Sequence, residues 1–123
     1  MLATLANITT FIVGILHYYA LYLEMFAWRQ PKTMKLFNTT SETAEIMAVL
    51  AANQGLYNGF LATGLLWSLT LTGEPLGLQV RTFFLLCVFI AGLYGAATAN
   101  KRILYTQAVP GFVAMALSWL AFR

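Results

Sequence analysis

Apolar residues run in four long stretches separated by short polar segments, the pattern of a chain that crosses a bilayer repeatedly. The first covers residues 4–28 and is interrupted only by His17 and Glu24. The others cover residues 44–71, 78–99 and 103–122. Each can span a hydrocarbon layer of about 30 Å once tilt is allowed. The expected architecture is all-α, a four-helix transmembrane bundle forming a single membrane domain over residues 1–123.

The polar segments predict where the helices stop and start. Pro31 ends the first helix, and Thr40 or Ser41, with Glu42 and Glu45 close behind, caps the second. Gly73, Pro75 and Gly77 mark a turn between the second and third helices. Asn100, Lys101 and Arg102 separate the third from the fourth, in which Pro110 predicts a kink. The first stretch lacks the basic start and the small-x-small site of a cleavable signal, so it is read as a retained helix.

Composition sharpens this picture: 60% of residues are hydrophobic and 9% charged, against about 25% charged in soluble domains. The net charge is +3, and most of the few charges cluster between the apolar stretches instead of coating them. With no basic face to track a phosphate backbone, nucleic acid is excluded as a partner. A single cysteine, Cys87, excludes an intramolecular disulfide and any C-x-x-C pattern, and is read as a packing residue. One His, one Cys and scattered Glu are too few for a metal cluster, and no cofactor motif is present.

Charge also orients the chain. Arg29, Lys32, Lys35, Lys101 and Arg102 fall on one side, Arg81 and Arg123 on the other. The positive-inside rule then puts the two basic loops in the cytoplasm and both termini outside, with Arg81 snorkelling to the interface.

Candidate chemistry lies in the first two helices. His17 and Glu24 are seven residues apart, two helical turns, and share a face, with Trp28 a further four along. Asn53, Gln54, Tyr57 and Asn58 fall at similar depth in the antiparallel second helix. Polar side chains in lipid are costly and face a bundle interior, a wet cavity or a partner. The expectation is a polar ligand-binding pocket of His17, Glu24, Trp28, Asn53, Gln54, Tyr57 and Asn58, with Tyr18, Tyr22 and Trp67 as aromatic walls. Gly55 and Gly59, and Gly92, Gly95, Ala96 and Ala99, form small-residue faces for close helix packing.

Several stretches resemble a known family. His17 to Trp28 (HYYALYLEMFAW), Asn53 to Trp67 (NQGLYNGFLATGLLW), Phe83 to Thr98 and Gln107 to Pro110 are similar to the small bacterial integral membrane proteins grouped as the domain of unknown function 1304. The resemblance spans almost the full chain. It implies a small four-span inner-membrane protein and places His17, Glu24, Asn53, Gln54, Tyr57 and Asn58 in the family signature.

Together these features favour binding or transport of a small molecule through the polar pocket, with protons on Glu24 or His17 competing with the ligand. Four short helices enclose little volume, so a homo-oligomer would complete a pathway, with membrane lipids as further partners. The alternatives are a structural or regulatory component that stabilises a partner, and a membrane-embedded enzyme acting on an apolar substrate. In the enzyme, His17 would be general base, oriented by Glu24, and Asn53 or Gln54 would steady oxygen charge.

Overall fold

The structure, a computed structural model, describes all residues from Met1 to Arg123. It is all-helical: α1 (Leu2–Met25), α2 (Pro31–Leu36), α3 (Ser41–Thr70), α4 (Pro75–Thr98) and α5 (Val109–Phe122), with a π-helical turn at Leu104–Ala108 leading into α5. The four-helix expectation is thus corrected to five. The additional element, α2, has six residues, too few for a hydrophobic period to show. Three segments are long and apolar enough to cross a membrane: Leu2–Met25, Pro75–Thr98 and Leu104–Phe122.

Local chemistry sets the boundaries. Helix α1 ends at Met25, before Trp28, and the amide of Ala27 reaches back to the carbonyl of Tyr22 as the chain turns away. Pro31 then opens α2 at its first turn, where its missing N–H costs nothing. Asn38, with φ of 53°, closes α2: its own amide bonds Lys35 O, and the amide of Thr39 bonds Met34 O. This is the paired bonding of a left-handed C-terminal cap. Thr40 caps α3 by accepting the amide of Thr43 at 3.2 Å. Gly73, at φ of 91°, makes the left-handed turn before Pro75 opens α4. Ahead of α5, Pro110 offers no amide to the preceding turn, and the backbone widens into the π segment instead of breaking.

The chain divides into two compact units, one of Met1–Ile15 with Leu61–Arg123, the other of Leu16–Phe60. The first unit has a core of Val13, Leu65, Leu85, Val88 and Ala114, one or two residues from each of α1, α3, α4 and α5. Small residues let these helices close up. A side chain on Gly64 would meet the ring of Phe84, and one on Gly92 would meet the backbone of Ala108. Arg81 also lies inside this unit, 1% exposed, where the sequence suggested a snorkelling side chain. The second unit is centred on Trp28, Ala44 and Ala51, with Met34 and Ala48 packed against them.

Candidate functional site

The candidate site lies in the second unit, on the facing stretches of α1 and α3. A helix turns about 100° per residue, so residues seven apart return to one face. His17 and Glu24 do so, and both are buried, at 6% and 4% exposure. On α3 the same geometry places Gly55 and Gly59 on the facing side. A Cβ on Gly55 would lie 2.9 Å from Cβ of Glu24, and one on Gly59 would meet the Leu21 side chain. The two glycines therefore bring the α3 backbone against the Glu24 turn of α1.

This approach carries Asn58 to Glu24. The Asn58 Nδ2 donates to Glu24 Oε2 at 2.8 Å, across 34 residues of sequence. The carboxyl of Glu24 is thus held by a neutral amide. An ion pair lies elsewhere, between Arg29 Nε and Glu45 Oε2 at 2.7 Å, with both side chains more than 60% exposed. The hydrogen bond to Glu45, reinforced by its charge, holds the Arg29 guanidinium above its ordinary pKa. As an exposed pair it contributes little to stability.

The remaining residues of the expected pocket are placed differently. Asn53 and Gln54 are exposed, and Tyr57 is 62% exposed with its ring edge-on to Phe60 at 5.7 Å. Asn53 and Tyr57 each stand two residues from Gly55, about 200° around the helix, which turns them away from the packed face. Trp28 lies beyond the end of α1, and its indole N–H donates to the carbonyl of Ala44 at 2.8 Å. Its ring meets Phe37 edge-on at 5.1 Å. Of the aromatic walls, Tyr18 is half-buried, whereas Tyr22 and Trp67 are exposed. The structure therefore brings Asn58 to Glu24, buries His17 two turns away on the same face of α1, gives Trp28 a separate packing site, and leaves Asn53, Gln54 and Tyr57 outside.

A cleft of 320 Å³ opens where α1 ends, lined by Met25 to Pro31, including Trp28 and Arg29. In the first unit, sequence reasoning missed the buried Arg81. The available signal was a set of hydroxyls, Ser68, Thr72 and Ser118, on separate segments whose register only the fold fixes.

Comparison with known proteins shows which family the chain belongs to. The family described as "Protein of unknown function (DUF1304)" matches residues 11–119, which include His17, Glu24, Asn58 and Arg81. The Uncharacterized protein YpaA of Lactococcus lactis subsp. lactis (strain IL1403) is 33% identical over 105 residues, covering 84% of this chain and 87% of that protein. No solved structure matches the chain. With a family match over most of its length and a relative covered nearly end to end, the chain belongs to the DUF1304 family.

Proposed function

We propose that this is a four-span protein of the bacterial cell membrane that binds or transports a small cationic molecule, with the Glu24 carboxyl as the exchangeable charge. The membrane reading extends to α3, whose 30 residues reach roughly 45 Å at 1.5 Å each. Its outer face carries Ile46, Val49, Leu50, Phe60 and Trp67, all more than half exposed. Polar Glu42 and Glu45 near its start and amides in its middle lower its hydropathy without removing that apolar belt. Basic loops in the cytoplasm and termini outside complete the proposed topology.

The observation that carries the binding reading is the buried Glu24 carboxyl held by Asn58, without a cation beside it. A carboxylate inside a bundle needs a counter-charge, and either a proton or a bound cation supplies it. His17, two turns away on the same face, is the other titratable group buried on this side of α1; Arg29 and Glu45 satisfy each other outside. A cation that displaces the proton on Glu24 binds more tightly as pH rises and is released on acidification. Native mass spectrometry of protein released gently from its own membrane tests this. Wild type is expected to hold a non-lipid mass that Glu24→Gln lacks and that acid removes. Identical spectra from both proteins would reject the reading.

A second observation favours an assembly role. Asn53 and Gln54 stand near the midpoint of α3 and are exposed. In lipid, such amides seek partners, and because each both donates and accepts, a second copy of the same face is complementary. An interhelical polar contact is worth about 0.6 to 2 kcal/mol. Replacing both with leucine is therefore expected to weaken a homo-oligomer by about tenfold or more. An unchanged subunit number across a dilution series would reject this surface as the contact.

A further inference from the structure

Arg81 has no part in the reading above. It lies in the second turn of α4, 1% exposed, and no carboxylate pairs with it. Its five N–H donors meet three hydroxyl groups. One nitrogen, Nη2, donates to Thr72 Oγ1 at 3.1 Å, while Nε reaches Ser68 Oγ at 3.4 Å and Nη1 reaches Ser118 Oγ at 3.5 Å. The last two are long for an N–H···O bond, whose usual length is about 2.9 to 3.0 Å. Each hydroxyl commits its own proton to a helix carbonyl: Ser68 to Leu65 at 2.6 Å, Thr72 to Leu69 at 2.8 Å, and Ser118 to Ala114 at 2.7 Å. Their lone pairs are thereby available to the guanidinium, yet neutral oxygens cannot balance its charge. A buried cation in an apolar bundle is stabilised far more by an anion.

An apolar groove adjoins the guanidinium. The Phe122 ring lies 5.1 Å from Arg81 Cζ. The same ring lines a groove of about 630 Å³ with Leu78, Thr82, Phe83 and Trp119; Glu74 and Arg123 also border it. The Trp119 indole donates to Thr82 Oγ1 at 2.9 Å, so these two polar groups satisfy each other; Leu78, Phe83, Trp119 and Phe122 give the groove an apolar stretch, with Gln79, Glu74 and Arg123 as its other polar lining. Phe122 is common to the charged cluster and the groove.

We infer that Arg81 and this groove form a binding site for an anionic phospholipid. The acyl chain lies along Leu78, Phe83 and Trp119, and the headgroup phosphate takes the under-used guanidinium donors when the Phe122 ring swings aside. Charge complementarity selects an anion, and the apolar groove selects one with a tail. The bilayer supplies such a molecule directly, since α4 is itself long and apolar enough to lie in it. Glu74, the acidic residue bordering the groove, repels a second negative charge and favours a singly charged headgroup.

The test is native mass spectrometry of the full chain in detergent micelles with phosphatidylglycerol and phosphatidylcholine of identical acyl chains, and with inorganic phosphate in a separate arm. Wild type is expected to retain phosphatidylglycerol at least tenfold over phosphatidylcholine and to retain no phosphate. Arg81→Gln is expected to erase the preference, and Arg81→Lys to keep part of it. Leu78→Trp, which fills the groove without touching the charge, should lower lipid retention and decides the matter if Arg81→Gln does not fold. Equal retention of the two lipids, an unchanged preference in Arg81→Gln, full retention in Leu78→Trp, or capture of phosphate alone would each overturn the assignment.

Discussion

Replacing Gly92 with alanine is expected to destabilise the protein by at least the 1 to 3 kcal/mol typical of overpacking, and replacing it with valine by more. A Cβ at this position would fall 2.5 Å from Ala108 N, 2.7 Å from its Cα and 2.8 Å from its Cβ. Two of these atoms are backbone and cannot rotate away. They also close the π turn made where Pro110 withholds its amide, so relaxing them disturbs the entry to α5. Alanine is intrinsically better than glycine in a helix by about 0.5 to 1 kcal/mol, so any measured loss is net of that gain. Gly95, one turn along, provides the control. Its Cβ would meet only the Ile103 side chain, at 3.2 and 3.3 Å, and that side chain can adjust. Unfolding in mixed micelles with increasing dodecyl sulfate should show Gly92→Ala well below wild type and Gly95→Ala close to it. Equal midpoints for Gly92→Ala and wild type would mean that the close approach of α4 to the π turn does not hold this unit together.

The sequence disclosed what depends on spacing along one helix, and less of what depends on how helices are rotated. The shared face of His17 and Glu24 was legible because seven residues return to the same side of any α-helix. The small-residue face of Gly55 and Gly59 was legible for the same reason. The outward placement of Asn53 and Tyr57 was not recognised, because α3 carries polar residues around much of its circumference and offers no single apolar stripe to orient it. The glycine pair held the missing information: a face that must approach α1 closely fixes the rotation, and Asn58 then comes to Glu24 while Asn53 and Tyr57 turn away. Arg81 was harder to read. Its hydroxyl partners belong to α3, to the turn after it and to α5, and only the packing of these segments brings Ser68, Thr72 and Ser118 to one guanidinium. Helix α2 and the π turn were hidden for another reason. Elements of six and five residues are shorter than two helical turns and produce no periodicity.

Trp28 is the residue at which a ligand wall and a structural latch predict opposite results. The residue is 9% exposed and packs with Met34, Ala44, Ala48 and Ala51, while its N–H reaches the Ala44 carbonyl and its ring makes an edge-on contact with Phe37. These contacts tie the turn after α1, the short α2 and the beginning of α3 to one side chain. Truncation to alanine removes nearly all of that packing and is expected to cost about 3 to 5 kcal/mol. Phenylalanine keeps most of the apolar area and gives up the hydrogen bond. Because Ala44 O is a helix carbonyl with its own intrahelical donor, that loss should be only about 1 kcal/mol. A latch therefore gives a graded fall in the unfolding midpoint, small for Trp28→Phe and large for Trp28→Ala, with the ligand mass retained by whatever Trp28→Phe protein remains folded. A ligand wall gives the reverse: the midpoint of Trp28→Phe stays at the wild-type value while the ligand mass disappears. The buried hydrogen bond to Ala44 argues for the first outcome, because an indole committed to a backbone carbonyl has no donor left for a bound molecule.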